Sequence, residues 1–214
     1  MPDGPAPICV NPRNPHSATP ALRALFYALE EWVTKGIEPP PSCVPRLADG
    51  TAVKAETARM PRVKGFAPAP GANRITPPVD WIDPPEDGPA EDGAAPSYET
   101  FVSAVDFDGN EIAGIRLPPI AAPLATYTGW NVYRAQPGEL CHRDGSRIPF
   151  ARSRAEREAA DDPRPSLEER YGNCEAYVAK VREAARALVA ERLLLPMDAD
   201  AFIAAAKDSA EFGD

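Results

Sequence analysis

Proline constrains this chain more than any other residue. Of 214 residues, 27 are proline, well above an ordinary usage of about 5%. Thirteen of them fall within residues 37–97. Each proline fixes φ and removes a backbone donor, so neither a regular helix nor a central strand can run through that region. Its last part, "DPPEDGPAEDGAAPS" over 83–97, carries five carboxylates and no basic residue. That composition predicts a mobile surface segment. The clearest helix and strand signals lie on either side.

On the N-terminal side, Thr19-Pro20 predicts a helix start, with threonine as N-cap and proline at the first helical position. Leu22, Leu25, Phe26, Leu29, Trp32 and Val33 then recur at helical spacing on one broad face. Gly36 stands where a C-terminal cap belongs. A helix over 20–35 with Phe26 and Trp32 on one face needs a large surface to bury it.

On the C-terminal side, "YETFVSAVDFDGNEIAGIRLP" predicts a β-hairpin turning at Asp108-Gly109-Asn110. "PPIAAPLATYTGWNVYRA" reads as an irregular or short-strand segment, anchored by Leu124, Tyr127, Trp130 and Tyr133. Beyond it the pattern is helical. A short charged helix over 153–160 offers Arg152–Glu156 and Arg154–Glu158 pairs at i,i+4 and ends at Asp161-Asp162-Pro163. Ser166 and Glu169 form a capping box. Asn173 opens a long helix to about Leu195, with Val178, Val181, Ala185, Leu188 and Arg192 on one stripe. Pro196 breaks that helix, and Asp198 caps an Ala-rich terminal one. Four regions result: 1–36, 37–97, 98–150 and 151–214. Alone, they predict an α+β chain, mostly helical, with a β-hairpin and a long Pro-rich irregular region.

The chemistry offered is sparse. A net charge of −9 provides no basic field for nucleic acid. No run of about 18 apolar residues exists for a membrane span, and the N-terminal residues lack the pattern of a signal peptide. The default compartment is then the cytoplasm. Cys9, Cys43, Cys141 and Cys174 stand far apart, and His16 and His142 are the only histidines. No metal or cofactor motif is present, and the cysteines read as four thiols without a shared role. Nor is there a G-x-S-x-G elbow, a P-loop, a G-x-G-x-x-G or an H-E-x-x-H. Ser146 follows Gly145 but leads into Arg147-Ile148-Pro149, a poor setting for a nucleophile. His142 lies beside Cys141, where extended backbone points neighbouring side chains to opposite sides. His16 is the one candidate base by position, in a loop before an amphipathic helix, and its ordinary reading is a solvated imidazole. Tyr127 and Trp130 are candidate pocket walls, although such aromatics more often fill cores.

Five segments in order resemble the C-terminal part of a bacterial family of α/β-hydrolase-domain proteins. They are "NPRNPHSATPALRALFYALEEWVTKGIEPPPSCVPRLADGT", "FDGNEIAGIRLP", "APLATYTGWN", "GSRIPFARSRAEREAADDPRPSLEERYG" and "YVAKVREAARALVAERLLL". The resemblance implies a fold related to the α/β hydrolases and, in the complete relative, ester or amide hydrolysis by an activated serine. It also implies that the nucleophile elbow, most of the sheet and the triad histidine precede everything seen here. His16 would then align with variable residues leading into helix 20–35, which would cover the sheet through Leu22, Phe26, Leu29 and Trp32. On this reading the chain is inactive alone and Tyr127 and Trp130 help to shape a pocket. A different class remains open, a non-catalytic interaction subunit docking through helix 20–35. A third reading, an independent enzyme using His16 or His142, requires a nucleophile that the sequence does not display.

Overall fold

The computed structural model describes residues 8–63, 99–141 and 144–212. Residues 83–97 and His142 lie outside the described residues. Six helices and two two-stranded antiparallel sheets are present among those described. In chain order they are α1 (Thr19–Lys35), β1 (Ala52–Lys54), β2 (Phe101–Ser103), α2 (Pro118–Ala121), β3 (Ala125–Tyr127), β4 (Arg147–Pro149), α3 (Arg154–Ala159), α4 (Leu167–Tyr171), α5 (Cys174–Ala190) and α6 (Pro196–Lys207). Strand β1 pairs with β2, and β3 with β4.

Helices α5 and α6 carry the core. Asn173 starts α5, its side-chain oxygen accepting from the Ala176 amide at 2.9 Å. Val178, Val181, Ala185 and Leu188 are buried along one stripe, as a 3.6-residue period requires. The helix stops at Ala190, earlier than expected, because Arg192 turns left-handed at φ 61° and the Leu193 amide returns to the Leu188 carbonyl. Arg192 therefore leaves the stripe and donates to the Glu38 carbonyl and to Glu31, each at 2.9 Å. Pro196 then opens α6 instead of breaking α5, and Asp198 is not its cap. Asp198 is buried in the first turn and paired with Arg23 of α1. One core groups Ala122, Tyr177, Val178, Val181 and Ala206; a second groups Ala185, Leu188, Leu193, Leu194 and Ala199. Phe202 and Ile203 pack against both.

The charged segment before α5 is a clasp. Arg154 pairs with Glu158 at 2.8 Å, as the spacing predicts. The Arg152–Glu156 contact runs instead from the Arg152 backbone amide, at 2.8 Å, while the guanidinium reaches the Ala210 carbonyl. The capping box forms as expected. Glu169 accepts from the amide and hydroxyl of Ser166 and from Arg157. Those bonds, Ser166's first, hold its carboxyl down at about 2. Arg164 is 1% exposed, yet every guanidinium donor finds an acceptor. Its Nε binds Asp162; one terminal nitrogen serves Thr126 Oγ1 and the Ile148 carbonyl; the other serves Asp162 and the Pro149 carbonyl. Arg170 pairs with Asp108 and lies 4.1 Å from the centroid of the Phe150 ring.

The expected hairpin is only a turn. Residues 106–110 close it, with Gly109 at φ 84° and a single bridge between Val105 and Glu111. Strand β2 takes β1 as its partner instead, Val102 opposite Val53. Asn110 explains the departure. Fully buried, its side-chain amide donates to the Ala125 carbonyl at 3.1 Å and its oxygen accepts from the Tyr127 amide at 2.8 Å. The turn thus presents an amide to β3 where a hairpin would have continued its own ladder.

Two of the cysteines are also not independent. Cys9 and Cys141 form a disulfide across 132 residues of sequence, leaving Cys43 and Cys174 free. The extended N-terminal segment brings them together. Val10 donates to the Val132 carbonyl, Asn14 to that of Gly145, and Arg147 to that of Pro12. Gly145 fits between the two runs because a Cβ there would collide with the Thr128 carbonyl oxygen and stand 3.1 Å from the Asn14 Cβ of the N-terminal segment.

Helix α1 begins one residue early, at Thr19, with Ala18 in the cap position and no side-chain cap. The Ser17 hydroxyl, rather than Thr19, accepts a free amide there. Gly36 caps the other end. Ala21, Ala24 and Ala28 are the buried residues of α1. Its large apolar side chains face outward: Phe26 is 70% exposed, Trp32 51% and Val33 77%. Neither hydrophobic core includes an α1 side chain.

Candidate functional site

A cleft of about 1050 Å³ opens where the N-terminal end of α1 meets the segment leading into α2, strands β3 and β4, and the C-terminal end of α6. The extended run before α1 carries His16 to its wall, because Asn14 is bonded to Gly145 and its side-chain oxygen accepts from the His16 amide at 3.0 Å. The imidazole tilts against the Tyr127 ring, with 3.9 Å between centroids. Burial, aided by the Arg147 guanidinium, lowers its pKa to about 4, so it is neutral at physiological pH. The solvated-imidazole reading of His16 is thereby corrected. The Tyr127 phenol is pushed up by burial, which outweighs the opposing charge of Arg147.

Arg147 pairs with Glu211 across the lower wall. Tyr177 also lines the cleft, with its phenol raised to about 12 by burial. Tyr177 stacks on Phe212 at 5.2 Å and meets Tyr171 edge-on at 5.2 Å. Tyr127 thus stands on the wall, while Trp130 does not line the cleft. The Trp130 carbonyl accepts instead from the hydroxyls of Thr128 and Ser146. Ser146 is buried, with Asn11 donating to its hydroxyl, which leaves it structural. Cys141 is spent in the disulfide and offers no thiolate. Arg147 and Glu211 gave no signal in the sequence, since 64 residues separate the two partners.

One comparison decides the family. The alpha/beta hydrolase domain model matches residues 2–204. The chain belongs to that family. No curated protein and no solved structure matches it. For an α/β-hydrolase-domain chain, the described residues are weighted towards helices, with sheets of only two strands each. His16 has a tyrosine ring and an arginine beside it. Among the described residues no three of His, Cys, Asp and Glu are grouped to hold a metal ion, and no helix is long and apolar enough to cross a membrane.

Proposed function

We propose that this chain is the C-terminal part of an α/β-hydrolase domain, inactive alone, whose complete form cleaves an ester or amide through a serine supplied by the sheet-bearing part. One observation carries the reading. Helix α1 exposes Leu22, Phe26, Leu29, Trp32 and Val33 together, and a contiguous apolar face of that kind marks a surface awaiting a partner. The two-stranded sheets give the described residues no broad strand surface of their own to cover. Family membership makes the sheet of a hydrolase domain the natural occupant. The same face would serve if the sheet belonged to a separate chain, with this one as a docking subunit.

The hydrolytic step asks for a nucleophile, a base and an oxyanion hole. This chain supplies walls to that site, not the nucleophile. The test is labelling with a fluorophosphonate, together with hydrolysis of 4-nitrophenyl butyrate. The chain alone should show neither. Adding the elbow-bearing N-terminal part of a family member should yield a complex and turnover, and Phe26→Ser with Trp32→Ser should abolish both. Labelling of the chain alone would overturn the proposal.

A further inference from the structure

The cleft beside His16 meets the α1 docking face only at Leu22. It shares Leu22 and Leu25 with that helix, but Phe26, Leu29, Trp32 and Val33 lie outside it. At about 1050 Å³ it stands at the upper end of the roughly 300–1,000 Å³ usual for small-molecule sites. The composition of its wall says what it can hold.

Its charged lining residues are two arginines, Arg116 and Arg147, and two glutamates, Glu111 and Glu211. Both arginines are neutralised by carboxylates, although the buried Nε of Arg116 has no hydrogen-bond partner. Arg147 is paired with Glu211, and Arg116 with Asp106 at 3.1 Å. Bringing a carboxylate or phosphate here would strip its hydration against guanidinium charges that Asp106 and Glu211 already neutralise. The remaining wall is largely hydrocarbon, with Leu117, Ile120, Leu124 and Phe202 beside the rings of Tyr127 and Tyr177. The geometry points to a binding site for an uncharged, largely apolar molecule with an aryl or branched alkyl body, held between α1, the α2 segment and α6. That this molecule is the acyl or alcohol half of an ester rests on the hydrolase reading above; the binding itself does not.

The test uses two fluorescent probes with one skeleton, the neutral N-phenyl-1-naphthylamine and the anionic 8-anilino-1-naphthalenesulfonate. Each is titrated into the full chain, into Ala205→Trp and into Phe26→Ser. Ala205 lines the cleft from an exposed position on α6, so a larger ring there fills the space without entering a core. Circular dichroism confirms that each variant is folded. The neutral probe should bind at least about tenfold more tightly than the anion, and Ala205→Trp should weaken it by about tenfold or more. Phe26→Ser should leave it unchanged. The His16 imidazole resonances, from one of only two histidines, should shift on adding the neutral probe. Equal or tighter binding of the anion would overturn the inference. So would binding lost in Phe26→Ser and kept in Ala205→Trp, which would place the probe on the docking face. Cleft binding without turnover in the reconstituted domain would defeat the hydrolase reading alone, whereas turnover without cleft binding would defeat this inference alone.

Discussion

In the C-terminal part of the chain a guanidinium is buried, and in α1 a phenyl ring is not. Arg164 is 1% exposed and Phe26 is 70% exposed. Side-chain polarity alone would assign them the other way round. What separates the two regions is the supply of partners. Arg164 presents five donors in a fixed fork, and Asp162, Thr126 and the two β4 carbonyls accept all of them. Phe26 belongs to neither core, since both are assembled from α2, α5, α6 and their flanking segments. One region satisfies its buried polar groups; the other leaves large apolar side chains exposed.

The most severe way to break the first half of that comparison is Arg164→Met. It leaves Asp162 buried without its guanidinium and strips donors from Thr126, Ile148 and Pro149 together. Removing one partner of a buried ion pair costs about 3–5 kcal/mol, and urea denaturation should show a loss of that order. A loss under about 1 kcal/mol would mean that the clasp is incidental to the fold.

A second prediction concerns the tie between the regions. Cys9 sits on the segment that leads into α1, and Cys141 on the body, so their disulfide holds the α1 side of the cleft in place. Cys9→Ser should cost about 2–4 kcal/mol, as expected for closing a long loop. Thiol titration of the unfolded chain should find two free groups, Cys43 and Cys174, and four after reduction. Four without reductant would show the bridge to be open. Such a bridge persists in an oxidising compartment, which sets it against the cytoplasmic default read from the N-terminal residues.

These cases also show what the sequence could and could not convey. Local signals were legible: the span of α1 to within one residue, the Gly36 cap, the Ser166–Glu169 box, the Asn173 start and the Asp108-Gly109 turn all depend on residues a few positions apart. Family membership was legible for a related reason, since ordered segments survive as text. The misses depend on distance along the chain. Strand β1, inside the Pro-rich region 37–97, meets β2 beyond it, Cys9 meets Cys141 across 132 residues, and Arg147 meets Glu211 across 64. In the cleft, His16 came from position alone, while its neutrality comes from burial and from Arg147, neither of which a loop sequence reveals. The helical period of α1 identified an apolar stripe correctly, but periodicity cannot say which of two apolar faces is covered. The alanine stripe is buried and the leucine, phenylalanine and tryptophan stripe is exposed.

That last point permits the smallest and sharpest test, because it contrasts two substitutions on one helix. Phe26→Ser removes a large ring from an exposed position, and serine and phenylalanine have similar helix propensities. In the isolated chain its stability effect should therefore stay within about 0.5 kcal/mol. Ala24→Leu adds hydrocarbon, which hydropathy alone would score as favourable. Ala24 is 2% exposed, so the added atoms must displace neighbours, and overpacking of that kind costs about 1–3 kcal/mol. Parallel urea melts should then rank the polar substitution as harmless and the apolar one as damaging. The reverse ranking would mean that α1 buries its phenylalanine and tryptophan stripe in solution. In that case the docking face would not exist, and the chain would stand as a closed unit rather than as one part of a hydrolase domain.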